Sequence, residues 1–394
     1  MKFAVTGAAA LLLGTTQLMA GGIERAPQSL NVLFEPGNYA ELSFGHVSPT
    51  VTGRDVPTGA PVANVAKSYG FVGVSYKHQF TPEWSAAFIV DQPFGADLSY
   101  PGNPAASMLG GTNVTVTDTH FTGVLRYKVT DAFGVHGGIR GGRASADVTL
   151  SGLAYGPLNG YRVTLDQDTR FGWLAGVSWE RPDIAARVAL TYNSPITRKF
   201  GTTEYLTASM IGVHAMMGNS FDAVTTGTTK VRTPRSINLD FQTGVAEDTL
   251  VFGSVRWVKW SEFLVEPRGY STFPDQDQNT GAVVGTLGSL TDLQDSTTYT
   301  LGVGRKFTDN WSGAVSYSWE KRGNDLVSPL APTNGKKGIT LAAIYNQDNF
   351  TVTTGINYTK LGNARPETGT PDTARAEMTG NDLWGIGIRV GYRF

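Results

Sequence analysis

Apolar and polar residues alternate with a period of two along most of the chain. The last strand-like stretch shows it most clearly. Trp384, Ile386, Ile388, Val390, Tyr392 and Phe394 fall on one face, and Leu383, Gly385, Gly387, Arg389, Gly391 and Arg393 on the other. A period of two is the signature of a β-strand. A face of glycine and arginine cannot pack as a dry core, so it suits a wet or crowded interior while the aromatic and β-branched face meets something apolar. The same division separates Phe171, Trp173, Val177 and Trp179 from Arg170, Gly172, Ser178 and Glu180. It recurs for Ile237, Leu239 and Phe241 against Asn238, Asp240 and Gln242, and again around Trp311–Glu320 and Phe350–Thr359. Aromatics gather at both ends of the apolar face with aliphatics between them, the arrangement of a transmembrane β-barrel.

The connections sort into two classes. Tight reversals rich in Pro, Asp and Asn occur at 81–84, 130–133 and 308–311, with looser variants at 181–184, 246–249 and 347–350. Those residues favour turns. The other connections are long: 49–66, 93–117, 198–232, 261–296, 323–336 and 361–382. Short turns alternating with long loops fit a barrel with its turns in the periplasm, and a β-sandwich has no reason to sort its loops this way. The pattern predicts an all-β fold, an antiparallel transmembrane barrel of about 14 strands. They are expected at 38–48, 67–80, 84–92, 118–129, 133–150, 162–181, 184–194, 233–245, 250–260, 297–307, 311–321, 337–345, 350–360 and 383–394. The second and ninth strands have ambiguous faces, which leaves 12 and 16 open.

Met1 and Lys2, the apolar run 8–13 and Leu18-Met19-Ala20 read as a secretory signal peptide over residues 1–20. Residues 21–37 fit neither signal nor barrel and are expected to form a short plug or hatch, with the barrel over 38–394 as a single domain.

Composition narrows the classes further. The chain of 394 residues holds 48 glycines and no cysteine, with 11% aromatic and 16% charged residues and a net charge of −1. So aromatic a chain is not disordered, and without a basic face it has little to offer nucleic acid. No thiol is present to ligate a metal or form a disulfide. The glycine excess matches crowded lumen faces and bends, and the aromatic excess matches girdles.

Several segments together resemble the FadL-type family of outer-membrane transporters for long-chain fatty acids and other hydrophobic compounds. They are the leader before the strands, the entry Gly37-Asn38-Tyr39-Ala40-Glu41-Leu42-Ser43-Phe44-Gly45, the segment Gln92-Pro93-Phe94-Gly95 after the third strand, Tyr299-Thr300-Leu301-Gly302-Val303-Gly304, and the terminal Phe394. The leader departs from the family pattern: it is short and lacks the Asn-Pro-Ala triplet common before the first strand. The resemblance implies passive uptake of hydrophobic molecules, most readily long-chain fatty acids, with aromatic hydrocarbons as the other class. It also implies release sideways through the wall, residence in the Gram-negative outer membrane among its lipid and lipopolysaccharide, insertion by the assembly machinery through the last strand, and a monomer. A general porin for small polar solutes is the alternative.

The loop 198–232 carries Leu206, Met210, Ile211, Val213, Met216, Met217 and Phe221 at helix-like spacing. Methionine-rich apolar surface adapts to varied ligands, so these residues are expected to form a capture groove or to pack against neighbouring loops. Inside the barrel, Phe71, Val124 and Leu174 line a tunnel or pack against a hatch cluster of Leu30, Val32, Leu33 and Phe34. Arg126, Arg140 and Arg170 are expected to face inward, as partners for a substrate carboxylate or for lumen acids such as Glu180, Asp240 and Glu320. His120 and Asp118 share a face as a polar lumen pair. The five histidines are scattered, no nucleophilic constellation can be assembled, and Asp275 and Asp277 lack the spacing of a calcium loop. No catalytic residue, cofactor or metal is expected.

Overall fold

The computed structural model describes residues 23–26 and 28–394; the expected signal peptide lies outside them. The strands close into one antiparallel barrel of 14 strands. They are β1 (Tyr39–Asp55), β2 (Tyr69–Gln79), β3 (Trp84–Asp91), β4 (Asn113–Lys128), β5 (Phe133–Leu150), β6 (Tyr161–Arg181) and β7 (Ala186–Asn193). The rest are β8 (Ser236–Ala246), β9 (Thr249–Val258), β10 (Ser296–Lys306), β11 (Trp311–Glu320), β12 (Lys336–Gln347), β13 (Phe350–Leu361) and β14 (Ala376–Arg393). Each pairs with its sequence neighbour, and β1 pairs with β14 from Tyr39↔Arg393 upward to seal the ring. Both chain ends of the barrel therefore lie at its periplasmic rim.

Two rings of aromatics bound the apolar outer face. At the inner rim Trp84 faces Tyr127, Trp311 faces Tyr345 and Phe350 faces Tyr392, all directly opposite in the ladder with ring centroids 4.6–4.9 Å apart. At the outer rim Tyr299 faces Trp319 and Tyr358 faces Trp384, at 5.5 and 4.8 Å. Such cross-strand aromatic pairs stabilise a sheet by up to about 1 kcal/mol each. Between Phe350 and Tyr358, β13 has the ~9–11 residues that a tilted strand needs to cross the hydrocarbon layer.

Several strands continue far above that layer; β6 has 21 residues and β5 has 18. There the polarity inverts while the period of two is kept. Low on β4 the outward residues are Phe121, Leu125 and Tyr127 and the inward ones are Thr122 and Arg126; high on β4, Thr115 and Thr117 point outward and Val114 is buried inside. β5 and β6 do the same, with Val148, Leu150, Tyr161, Val163 and Leu165 buried within. Water replaces lipid outside, so the apolar side turns into the barrel and forms a core.

The structure lengthens several predicted strands: β1 runs on to Asp55 and β14 begins at Ala376. The segment 198–232, expected as a loop, is largely a hairpin. Its strands Thr197–Tyr205 and Val224–Arg232 pair in register around the short helix α1 (Ala208–Met216). Their threonine-rich outward faces, above the membrane, lack the apolar alternation that marks the lower strands.

Two features position the functional region. β3 ends at Asp91 and the chain resumes as a strand at Gly95–Ser99, paired with β4 along its length and held on its other side by the single bridge Ala66↔Leu98 ahead of β2. β2 pairs with β3 only from Val74 to Gln79, although its Tyr69–Gly73 portion still pairs with β1. The wall is thus unpaired between residues 70–73 and 92–95. The second feature is the leader, which threads the lumen. Its 3₁₀ turn Asn31–Phe34 packs Val32 and Leu33 against Ala87, Ile89, Val124 and Leu174 of the wall.

Candidate functional site

Above the leader lies an apolar cavity of about 70 Å³. Its barrel wall comes from the inverted upper strands: Val114, Val148 and Leu165, with Phe200 and Val231 of the hairpin. The outer loops roof it with Trp260, Phe263, Val265, Leu290, Leu293 and Leu330. Phe94, from the break after β3, stands with its ring edge-on to Trp260 at 5.7 Å and to His120 at 5.6 Å. Ile23 of the leader closes the cavity from below.

The charged residues bordering this cavity are Asp118 and Arg198, and they compensate one another. Arg198 Nη2 donates to Asp118 Oδ1 at 3.3 Å, and His120 Nε2 lies 3.1 Å from Asp118 Oδ2. Arg140 Nη2 sits 3.3 Å from His120 Nδ1. A guanidinium can only donate, so Nδ1 accepts and Nε2 carries the proton given to Asp118. Gly142 makes the arrangement possible, since a Cβ there would strike Arg198 Nη2 and the His120 ring.

The leader repairs the break in β3. Gly95 N–H donates to Ile23 O at 2.8 Å, and Arg25 and Ala26 N–H donate to Pro93 O at 2.7 and 3.2 Å. Backbone groups freed from β2 thus find partners in the leader rather than remaining unpaired in an apolar setting, where each would cost several kcal/mol. The Arg25 guanidinium lies 4.2 Å over the Tyr69 ring at the edge of the gap. On the other side Glu24 accepts from Arg256 Nε at 2.7 Å, and Arg256 also donates to Gln28, Ser236 and Asn238.

Beneath this segment is a second cavity of about 140 Å³, bordered by the leader and by Phe71, Gly73, Asp91 and Gln92 at the wall gap. Its far wall includes Gly355 and Gly387, side by side across β13 and β14, with Gly45 of β1 next in the same row. The tip of the Phe71 ring lies over Gly45, where a Cβ would collide with it.

The residues singled out from sequence have separate fates. Val124 and Leu174 pack with Leu30, Val32, Leu33 and Phe34 in one hatch cluster. Phe34 is further held between the guanidinium groups of Arg126 and Arg187, at 4.8 and 4.4 Å from its ring. Arg126 pairs with Glu180, and Arg140 joins the His120–Asp118 group. Arg170 keeps the inward row, opposite Gly142, but its side chain is 49% exposed and reaches Asp168 at 3.3 Å rather than one of the expected lumen acids. Above Leu174 and below Leu165, β6 has no ladder partner on its β7 side, and Arg170 turns to solvent there. The loop candidates are not one groove. Leu206, Met210 and Phe221 are buried in the roof core, with Ile211 and Val213 packed on them. Only Met216 and Met217 stand out, at 79% and 54% exposure.

The roof residues from 260–293 and Leu330 were not anticipated. The signal that would have found them is an apolar set: Trp260 at the end of the expected ninth strand, with Phe263 and Val265 just inside the segment read as an outer loop.

Among solved structures, a Pseudomonas aeruginosa FadL homologue superposes with a TM-score of 0.71 at 14% identity, covering 97% of each chain. The Pseudomonas putida toluene transporter TodX matches with a TM-score of 0.62 at 13% identity, covering 95% of this chain and 96% of that one. The Ralstonia pickettii toluene transporter TbuX gives 0.61 at 12%, covering 97% and 98%. At these identities the likeness is one of fold. No curated protein sequence matches significantly. Residues 46–394 match the model of the outer membrane protein transport protein family (OMPP1/FadL/TodX), and the chain, an outer-membrane β-barrel, belongs to that family.

Proposed function

We propose that this barrel takes up compact, uncharged hydrophobic molecules, such as monoaromatic hydrocarbons, and releases them sideways into the membrane. The observation that carries this reading is the compact cavity, apolar on its walls and roof, with its bordering charges Arg198 and Asp118 already paired to each other. A single water needs roughly 10–15 Å³ by the same kind of measure. A space of about 70 Å³ therefore suits a ligand of one aromatic ring better than an extended acyl chain. A ligand would enter from the outer loops, rest above Ile23, pass the leader into the lower cavity and leave by the gap beside Phe71 and Gly73. Transfer of apolar area at about 25 cal/mol per Å² supplies the driving force. The path runs down a gradient and calls for no covalent step.

A long-chain fatty acid is the second reading, favoured by one detail. Arg198 Nε is buried without a hydrogen-bond acceptor and could take a carboxylate at the cavity floor.

Displacement of a fluorescent hydrophobic probe from the purified barrel tests both. Saturable displacement by toluene, with little by oleate, is expected. Stronger displacement by oleate that disappears in Arg198→Met would move the assignment to fatty acids. No saturable binding of either would overturn the cavity as a transport site. Planar-bilayer recording separates the transporter from a general porin, since a large steady aqueous conductance is incompatible with a lumen filled by the leader.

A further inference from the structure

The outer rim of β10–β13 carries a charge arrangement that uptake through the lumen does not use. Lys337 on β12 stands directly opposite Lys360 on β13, and on its other side opposite Trp319 of β11. Lys321 follows Trp319 by two residues, at the end of the same outward row. All three lysines are exposed, and none forms an ion pair among the described residues. Asp382 of β14 lies across from Lys360 without pairing to it. Like charges directly opposite in a ladder are destabilising, and here they sit at the height of the outer aromatic ring. Immediately below are Ile339 and the Tyr358–Trp384 pair, an apolar surface for acyl chains.

Beside the lysines a depression of about 350 Å³ opens at the ends of β10 and β11. Tyr299, Trp319, Lys321 and Arg322 border it, together with loop residues including Asn334. Aromatic and polar groups side by side in a concave surface suit a sugar. Three carboxylates also border it, one of them Glu320, which is buried and paired with Lys336 at 3.4 Å. Asp295 is engaged by Lys259 at 3.6 Å and by the Ser261 N–H at 2.9 Å, and Asp292 faces the same depression.

We propose that this rim is a binding site for a phosphorylated glycolipid of the outer leaflet. Its phosphates bridge Lys321, Lys337 and Lys360, its sugars enter the depression beside Trp319, and its acyl chains lie over Ile339 and Tyr358. Basic residues at a membrane surface recognise lipid phosphate in this way, and aromatics at the interface hold the level.

The test is retention of lipid A by the purified barrel after detergent exchange, read by native mass spectrometry. Wild-type protein is expected to keep about one lipid A through the exchange. The K321Q/K337Q/K360Q variant should bind it on the order of 100-fold more weakly, from the roughly fivefold that each surface lysine contributes. A control variant, K199Q/K230Q/K67Q, removes the same charge elsewhere on the outer surface and should retain the lipid. Both variants are checked for folding by the heat-dependent gel shift of a closed barrel. Equal retention by the two triple variants overturns the site. So does full displacement of lipid A by millimolar inorganic phosphate, which would make it a site for free phosphate.

Discussion

Arg256 of β9 donates from Nε to Oε1 of Glu24 at 2.7 Å, with both side chains buried inside the barrel. This bond ties the leader to the wall opposite the gap that the same leader bridges. Removing one partner of a buried ion pair typically costs about 3–5 kcal/mol, because the other charge is left uncompensated. Glu24→Gln should therefore loosen the leader while the ladder stays closed. Limited proteolysis followed by mass spectrometry should show new cleavage within residues 23–37. Unchanged protection would mean that the Pro93 and Gly95 backbone bonds alone hold it.

Ala144 borders the upper cavity and is buried. Ala144→Phe should fill that space, at an overpacking cost of about 1–3 kcal/mol. Probe binding should fall by about tenfold or more, a change of roughly 1.4 kcal/mol or more, while the barrel still assembles. Normal binding in a folded variant would place the ligand site elsewhere.

The methionines of α1 divide into two experiments. Met216 and Met217 are exposed, so M216S/M217S should weaken capture of hydrophobic ligands without affecting the loops. Met210 is wholly buried beside His214, Phe221 and Phe273 in the roof. Met210→Ser should cost about 2–5 kcal/mol of local packing and raise hydrogen exchange across 208–216. If the exposed pair proves silent in uptake, capture takes place on another loop surface.

Glu367 sits in the outer loops, in the short strand Arg365–Thr368, away from the membrane. Burial, and then the nearby carboxylates of Asp372 and Asp292, push its carboxyl up to about 7. The folded loop thus holds the proton more tightly than the unfolded one. Its contribution is fully present below the ordinary carboxylate range near 4.5 and is lost as pH rises through about 7. Hydrogen exchange of residues 365–374 should therefore quicken between pH 5 and 8 beyond the intrinsic rate change. Glu367→Gln should abolish that excess, and an unaltered profile in the variant would assign it to another group.

The barrel was legible from sequence because lipid and lumen impose opposite demands on adjacent residues. Trp384 to Phe394 and Phe350 to Tyr358 announce their faces without help from tertiary contacts. The cavity was not legible for the same reason in reverse. Val114, Val148 and Leu165 keep the phase of their strands but exchange polarity, and a reading that equates apolar with outward sees noise there. The hairpin flanking α1 was lost to its threonines. Arg126 and Leu174 were placed inside by alternation alone. Arg170 obeys that rule too, yet stays exposed because its stretch of strand has no neighbour on one side, a property of spacing between strands that composition does not carry.

Arg393, at the end of β14, places Nη2 2.9 Å from Glu35 Oε2 of the leader, beside the Tyr39↔Arg393 pair that seals the ring. The plug and the seam therefore share a fastening where the leader enters β1 and β14 meets it. A closed cylinder admits a folded leader only with difficulty, so this joint implies an order of events. The leader then lies within the curling sheet before β14 arrives, and Arg393 locks Glu35, at the leader's junction with β1, as the ring closes.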